Sequence, residues 1–260
     1  MRMSRKQQRP YRVSNLKKRG VDILALRKNR GSRMQRNVIA MTEPKSLNSE
    51  QYRTIRTNIE FASVDRQMKS VMITSACPGE GKSTTAANLA VVFAQQGKKV
   101  LLIDADLRKP TVHTAFFLEN TVGLTSVLLK KSSMEQAVQA SNEKHLDVLT
   151  SGPIPPNPAE LLSSKWMKEL AYEACAAYDM VIFDTPPILA VADAQILGNV
   201  ADGSVLVISS GKTEKEQAAK AKEALATCKS KLLGAIMNGK KLSKHSEYGY
   251  YGTKDNFMQK

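Results

Sequence analysis

The stretch SACPGEGKST at residues 75–84 constrains the fold of this chain more than any other feature. It matches the phosphate-binding pattern G-x-x-x-x-G-K-[ST], except that Ala76 stands where the first glycine is expected. The apolar run VMITSA at 71–76 leads into it, and a helix-length apolar stretch at 82–96 follows it. Strand, glycine-rich loop and helix in this order predict a P-loop, whose backbone N–H groups bind phosphate oxygens. An ordinary glycine-rich turn is the alternative, which the flanking pattern disfavours.

The residue types inside this loop suit nucleotide binding. Gly79 and Gly81 let the backbone turn tightly, and Lys82 is expected to reach the β- and γ-phosphates. The Ser83 hydroxyl is expected to ligate Mg²⁺, and Thr84 is placed to contact the α-phosphate. The residues predicted to bind the nucleotide through this loop are Pro78, Gly79, Glu80, Gly81, Lys82, Ser83 and Thr84.

The rest of the chain predicts an α/β fold. Further apolar runs bounded by turn residues predict strands at 99–107, 146–151, 180–187, 203–210 and 232–238. Helix-length stretches lie between most of them, at 123–140, 158–177, 190–199 and 214–228. An amphipathic helix is predicted at 49–63, capped by Asn48 or Ser49. Strands that are apolar throughout and alternate with helices predict a mainly parallel sheet with helices on both faces, as in a P-loop NTPase.

Aspartates end two of the predicted strands. Asp184 closes the apolar run MVIF, as expected of a carboxylate that holds a Mg²⁺-bound water beside a P-loop. Asp104 and Asp106 stand two residues apart, so on a regular strand they share one face at the same edge of the sheet. A helix N-cap is the alternative for a single aspartate, whereas two such strand ends favour metal or nucleophile handling. These residues leave water and a hydroxyl group both open as the phosphoryl acceptor.

Most of the positive charge lies at the amino-terminal end. Residues 1–40 hold 13 Lys and Arg against Asp22 alone, so they carry +12 of the formal net charge of +15. Basicity confined to an appendage indicates acidic lipid headgroups, nucleic acid or an acidic protein segment as partner, and a solvated arm is the alternative. We expect a disordered basic arm at 1–45, a P-loop domain at 46–239 and a flexible tail at 240–260.

Cysteine usage and hydropathy bear on the cellular location. Cys77, Cys175 and Cys228 lack C-x-x-C spacing, which predicts neither a disulfide framework nor a zinc site and fits a reducing cytoplasm. No apolar run approaches the ~18 residues that a membrane-spanning helix needs. The Met1 end lacks the apolar segment of a signal peptide. We therefore expect a protein that is neither membrane-spanning nor secreted.

Several motifs in a fixed order resemble one family. The motifs SACPGEGKST, LLIDADLRKP at 101–110, GPIPPNPAELL at 152–162, VIFDTPP at 181–187 and a tyrosine cluster at 248–251 are similar to those of the bacterial tyrosine autokinases (BY-kinases) of capsule and exopolysaccharide systems. The likeness covers about residues 43–260. It implies an ATP- and Mg²⁺-dependent protein tyrosine kinase that phosphorylates its own tail in trans and regulates polysaccharide biosynthesis.

The resemblance also implies a role for each motif residue. Lys82 and Ser83 match the Walker A lysine and magnesium ligand, Asp104 and Asp106 the Walker A′ acids, and Asp184 the Walker B acid. By this likeness Asp104 helps to hold the metal or accepts the tyrosine proton. The implied sets are Lys82, Asp104, Asp106 and Asp184 for catalysis; Ser83, Asp104 and Asp184 for the metal; and Tyr248, Tyr250 and Tyr251 as phosphoacceptors.

Two further elements are matched by analogy. Glu50, Arg53 and Arg56 match the E-x-x-R-x-x-R element through which these kinases assemble into rings, and a solvated helix face is the alternative. Asn238, at the end of the last predicted strand, is expected to contact adenine by analogy with related P-loop ATPases, and a turn-forming Asn is the alternative.

Partners and location follow from the same resemblance. It implies activation by the cytoplasmic tail of a transmembrane polysaccharide co-polymerase, a cognate tyrosine phosphatase, and a cytoplasmic location at the inner face of the membrane. The arm at 1–40 is expected to strengthen docking on anionic lipid, and nucleic acid is not the expected partner. The alternative is a positioning or partition ATPase with the same fold. Those ATPases carry a signature lysine five residues before the P-loop lysine, where this chain has Cys77.

Overall fold

The computed structural model describes residues 38–62 and 68–240. Within them the strands are β1 (Ser70–Ser75), β2 (Val100–Asp104), β3 (Val138–Ala140), β4 (Leu146–Leu149), β5 (Met180–Asp184), β6 (Gly203–Ser209) and β7 (Lys231–Asn238). The helices are α1 (Ile39–Thr42), α2 (Leu47–Ala62), α3 (Lys82–Ala94), α4 (Val112–Phe116), α5 (Leu124–Leu128), α6 (Met134–Ala137), α7 (Pro158–Ser163), α8 (Lys165–Ala177), α9 (Asp193–Leu197) and α10 (Lys215–Ala226).

The strands form one sheet in the order β3-β4-β2-β5-β1-β6-β7. Every neighbouring pair is parallel except β3 and β4, which are antiparallel. Every residue of β1, β2 and β5 is buried, because helices cover both faces of the sheet. The predicted mainly parallel α/β fold is therefore confirmed.

A hydrophobic core lies on each face of the sheet. On one face, α3 packs beneath α1 and α2, and its residues from Thr85 to Ala94 are all buried. On the other face, α5, α8, α9 and α10 pack their apolar sides against the sheet. The parallel strands bring their carboxyl ends, and with them Ser75, Asp104 and Asp184, to the same edge.

Three predicted helices differ from the structure. The stretch 123–140 is not one helix: α5 and α6 are separated by a turn, and Val138–Ala140 then pairs with β4 as the antiparallel edge strand. The stretch 158–177 divides because Ser164 is extended (φ −63°, ψ 158°) between α7 and α8. Helix α9 begins at Asp193, later than the predicted 190.

The predicted cap of α2 was also misplaced. The helix begins at Leu47, and the side chain of Ser46 accepts the Ser49 backbone N–H at 3.3 Å. Ser49 is buried instead, and its hydroxyl donates to the Glu43 carbonyl oxygen at 2.7 Å. Ser46 therefore has the capping role that was assigned to Asn48 or Ser49.

The folded part begins earlier than the expected boundary at 46. Val38 and Ala40 are buried, and the Ala40 backbone N–H donates to Asn88 Oδ1 of α3 at 2.9 Å. The Gln95 side chain donates to the Ala40 carbonyl oxygen at 3.0 Å. Residues 38–41 therefore pack on the P-loop helix, because their apolar side chains and backbone groups find partners there. The rest of the expected arm and the tyrosines at 248–251 lie outside the described residues.

The helices at residues 38–62 and 68–240 include none that is long and apolar enough to cross a membrane.

Candidate nucleotide-binding and phosphoryl-transfer site

The P-loop connects β1 to α3. Gly79 and Gly81 have φ values of +79° and +92°, in the left-handed region that favours glycine. A Cβ atom on Gly81 would lie 2.1 Å from Asn238 Nδ2 at the end of β7. Gly81 therefore serves two needs, because it permits both the backbone turn and the close approach of Asn238.

Glu80 fixes the shape of this loop from within. Its side chain is buried, and Oε2 accepts the Cys77 backbone N–H at 2.8 Å while Oε1 accepts the Thr213 hydroxyl. The Glu80 carbonyl oxygen accepts Asn238 Nδ2 at 3.0 Å. Glu80 thus links the P-loop to the loop after β6 and to the end of β7, although the sequence suggested only nucleotide contact for it.

Lys82 faces the predicted acids. Its ammonium group donates to Asp106 Oδ2 at 2.7 Å and to Ser83 Oγ at 3.2 Å, and lies 3.7 Å from Asp184 Oδ1. Burial acts to lower the pKa of Lys82, but the carboxylates of Asp184 and Asp106 outweigh it and raise that pKa. Lys82 is therefore held as a cation at the carboxyl edge of the sheet.

Asp104 and Asp184 stand opposite each other in register on β2 and β5, and both are fully buried. Burial, strengthened by the nearby charge of Asp184, raises the pKa of Asp104 well above its usual range. Burial also raises the pKa of Asp184, against the opposing effect of Lys82. A site that buries this much acid favours a cation or proton as a partner.

The hydrogen bonds of these acids leave oxygens available. Asp104 Oδ2 accepts the backbone N–H groups of Thr111 and Val112 at 3.1 and 3.0 Å. Asp104 Oδ1 and both oxygens of Asp184 are buried without a hydrogen-bond partner in the described structure. Carboxylate oxygens beside a serine hydroxyl are hard ligands of the kind that Mg²⁺ takes.

Protein side chains alone do not surround a metal ion here. Among residues 38–62 and 68–240, no group of three or more His, Cys, Asp and Glu side chains is arranged to hold one. That agrees with Mg²⁺ in P-loop proteins, which keeps waters and substrate phosphates as most of its ligands.

A cavity of about 700 Å³ adjoins the P-loop. Thr84 and Thr85 of α3 and Asn238 of β7 line one side, and α2 lines the other with Tyr52 and Ile55. Burial raises the pKa of Tyr52, so its phenol is neutral at physiological pH. The cavity is within the usual size range of small-molecule sites.

The three charged residues of the E-x-x-R-x-x-R element on α2 differ in how exposed their side chains are. Glu50 is 60% exposed and pairs with Arg53 at 2.5 Å. Arg53 also donates to Gln95 Oε1 at 3.3 Å. Arg56 is 16% exposed, and its guanidinium donates to the Val92 carbonyl oxygen near the end of α3 at 2.8 Å. Within one chain, Arg56 therefore fastens α2 to the P-loop helix.

Sequence reasoning missed two features of the site. Thr213, which holds Glu80, lies in an unremarkable loop, and no local pattern distinguishes it. Arg108 makes a two-pronged ion pair with buried Asp193, with distances of 2.8 Å from Nε to Oδ2 and 3.0 Å from Nη2 to Oδ1. The position of Arg108 two residues after Asp106 was a usable signal, because it places a cation beside the acids.

These contacts define the class of the chain. A glycine-rich loop between a strand and a helix, with its lysine facing one aspartate that follows β2 and one that ends the neighbouring β5, is the arrangement of a P-loop nucleotide-binding protein. A family model described as an AAA domain matches residues 68–230, which agrees with this class.

Known relatives narrow the class to one family. CapB of Staphylococcus aureus, named a putative tyrosine-protein kinase, is 41% identical over 213 residues, covering 82% of this chain and 93% of CapB. The tyrosine-protein kinase CpsD of Streptococcus agalactiae is 38% identical over 209 residues, covering 79% of this chain and 90% of CpsD. The solved kinase domain of Escherichia coli ETK has a TM-score of 0.77 at 36% identity, covering 81% of this chain and 82% of that domain. The chain belongs to the bacterial tyrosine-protein kinase family.

The alternative class shares only the fold. The septum site-determining protein MinD of Pyrococcus horikoshii gives a TM-score of 0.57 at 22% identity, over 65% of this chain and 69% of MinD. Likeness at that identity shows a common architecture. The two classes still differ in sequence at Cys77, the position at which the positioning and partition ATPases carry their signature lysine.

Proposed function

We propose that this chain is an ATP-dependent kinase that phosphorylates Tyr248, Tyr250 and Tyr251 of another copy of itself. The family membership supports the kinase class, and the observation that carries the proposal is the contact of Lys82 in the P-loop with Asp106 and Asp184. A P-loop lysine that is held by acids is ready to exchange them for phosphate oxygens. The competing outcome is transfer of the phosphoryl group to water, which would make the chain an ATPase.

Nucleotide binding would use the loop and the adjoining cavity. The backbone of Pro78–Thr84 and the Lys82 ammonium would hold the phosphates, since the amino terminus of α3 is favourable for anions. The cavity beside Thr84 and Asn238 is the space available to the nucleoside. Ser83, Asp104 and Asp184 would hold Mg²⁺, which when bound supplies charge neutralisation for phosphoryl transfer.

The acids would also assist the acceptor. A tyrosine phenol has a pKa of about 10 and needs a nearby base to attack at neutral pH. Asp104 Oδ1 has no hydrogen-bond partner in the described residues, so it is available for that proton or for the metal. In the transfer, the phenol oxygen forms a bond to the γ-phosphorus as the bond to ADP breaks, and the phenol proton goes to Asp104.

The proposal extends to regulation and partners. The names of CapB and CpsD and the motif order support a role in capsular or extracellular polysaccharide biosynthesis. We place the protein in the cytoplasm, docked on a transmembrane activator and opposed by a tyrosine phosphatase. Self-association would use Glu50 and Arg53 of α2, which remain accessible, while Arg56 supports the helix from below.

Two variants test this function. Lys82→Met is expected to abolish phosphotyrosine formation with MgATP, because it removes the phosphate-binding cation. Replacement of Tyr248, Tyr250 and Tyr251 by Phe is expected to remove the label while ADP affinity stays at the wild-type value. Phosphotyrosine can be measured by immunoblotting and ADP affinity by calorimetry. Persistent labelling of the triple variant would exclude the tail as the main acceptor.

A further inference from the structure

The loop between β5 and α9 presents an apolar run to solvent. Residues 189–192 read Leu-Ala-Val-Ala; Leu189 is 39% exposed, Ala190 and Ala192 are exposed, and Val191 is half-buried. A run of three or four exposed apolar residues is unfavourable in water unless it contacts something. Three of the four side chains are thus exposed, and Val191 is covered only in part.

The run is tied to the phosphoryl-transfer site at both ends. It starts five residues after Asp184, which limits their separation to about 18 Å. The next residue after the run is Asp193, whose carboxylate accepts two hydrogen bonds from Arg108. Arg108 in turn follows Asp106 by two residues. The apolar run therefore lies beside the loop that carries the Lys82 partner.

Positive charge borders the same run. Arg108 and Lys109 are both exposed, and the Lys109 backbone N–H donates to Asp106 Oδ1 at 3.0 Å. A guanidinium has five N–H donors, and Asp193 takes two of those of Arg108. Arg108 can therefore bind a second carboxylate while it holds Asp193.

We propose that Arg108, Lys109 and residues 189–192 form an acceptor surface that docks residues 247–252 of a second copy. This inference rests on the proposed function, in which those tyrosines are phosphorylated in trans. The segment reads EYGYYG, so an acidic residue, Glu247, directly precedes the first acceptor, Tyr248. Glu247 complements Arg108 and Lys109, and the tyrosine rings complement the apolar run.

The test uses two full-length chains, each with one function removed. The enzyme copy has Tyr248, Tyr250 and Tyr251 replaced by Phe, and the acceptor copy is Lys82→Met. The initial rate of phosphotyrosine formation on the acceptor copy is measured against its concentration. Leu189→Ser in the enzyme copy is expected to raise KM for the acceptor about tenfold, with kcat changed less than about twofold, because one apolar contact is lost.

A matched control variant and a charge-reversal pair test whether the change in KM is specific to this surface. Leu129→Ser removes a leucine of similar exposure, 48%, from the turn after α5, and is expected to leave KM unchanged. Lys109→Glu in the enzyme copy should raise KM, and Glu247→Lys in the acceptor copy should restore most of that loss. Wild-type KM in both Leu189→Ser and Lys109→Glu, or a swap without recovery, would overturn the docking surface.

Failure of the proposed function and failure of the docking inference give different results in this experiment. If the unmodified surface gives no transfer between the two copies although ATP is consumed, the kinase assignment itself fails. If transfer is normal and the surface variants behave as the wild type, only the docking inference fails. A rise in KM that accompanies an equal loss of ADP affinity would count against docking, because it would place the defect in the nucleotide site.

Discussion

At the scale of single residues, the site is defined by one lysine among three buried or nearly buried aspartates. Asp104 and Asp184 are fully buried, and Asp106 holds the Lys82 ammonium at 2.7 Å. Burial is the main cause that raises the pKa values of Asp104 and Asp184, and neighbouring carboxylates add to it, because the one cation of Lys82 does not balance three acids. A divalent cation that arrives with a nucleotide would restore the balance.

Gly81 gives a residue-scale prediction with a control inside the same chain. Gly81 and Gly97 both have φ of +92°, but a Cβ would meet Asn238 only at Gly81, while Gly97 has open space. Gly97→Ala is expected to cost about 1 kcal/mol of unfolding free energy, from the backbone alone. Gly81→Ala should cost clearly more and should weaken ADP binding. Urea unfolding and calorimetry measure the two effects.

The clash with Asn238 is the physical reason for the difference. Removing that side chain in the double variant Gly81→Ala, Asn238→Ala should therefore recover part of the stability lost by Gly81→Ala, despite the lost hydrogen bond to the Glu80 carbonyl oxygen. Equal costs for Gly81→Ala and Gly97→Ala would contradict the close packing of β7 against the P-loop.

The sequence predicted the aspartates that the structure brings together at the sheet edge, but not two long-range polar pairs nearby. Asp104, Asp106 and Asp184 were identified because each ends or follows an apolar strand, a local signal. The Thr213–Glu80 bond and the Arg108–Asp193 pair join residues 133 and 85 positions apart, and such partners depend on the folded chain. Long-range polar pairs leave no periodicity in a sequence, so the partner of Arg108 was not predictable even though the position of Arg108 beside the acids was a signal.

At the scale of elements, the apolar strands and the P-loop helix were predictable because burial on both sides leaves a continuous hydrophobic run. The antiparallel edge strand β3 was not, since Val138–Ala140 is half-exposed and gains its structure only by pairing with β4. Helix α4 was missed because its five residues carry too little pattern. Short elements depend on tertiary contacts that the local sequence does not encode.

Helix α2 gives the element-scale prediction. Arg56→Ala is expected to lower the unfolding free energy by about 2 kcal/mol, because it removes a charged hydrogen bond to a carbonyl oxygen of α3. Glu50→Ala should change stability by less than about 0.5 kcal/mol, because its pair with Arg53 is exposed. Glu50→Ala should instead weaken self-association, which sedimentation velocity would reveal. Wild-type stability of Arg56→Ala would contradict the supporting role of Arg56.

At the scale of the whole molecule, most of the positive charge and the catalytic residues lie in different parts of the sequence. Residues 1–37 carry most of the net charge, whereas residues 38–41 pack on the P-loop helix. Deletion of residues 1–37 is therefore expected to leave the fold intact and to abolish binding to phosphatidylserine vesicles. Vesicle binding can be measured by sedimentation at rising salt concentration. The bound fraction should fall as salt rises, because salt screens the attraction between the basic arm and the anionic lipid.

The control for that deletion changes the lipid composition of the vesicles. Neutral phosphatidylcholine vesicles should bind neither form of the protein, since they lack the negative surface potential. Unchanged binding of the shortened chain to anionic vesicles would show that the arm has no role in membrane docking.

The kinase assignment is best tested by mapping phosphotyrosine on the purified wild-type chain after incubation with MgATP and an activator peptide. We expect phosphate on the tail peptide that contains Tyr248, Tyr250 and Tyr251, and none in the Lys82→Met chain treated in the same way. Consumption of ATP with no phosphotyrosine on any peptide would contradict the kinase assignment, and would return the chain to the ATPases that share its fold.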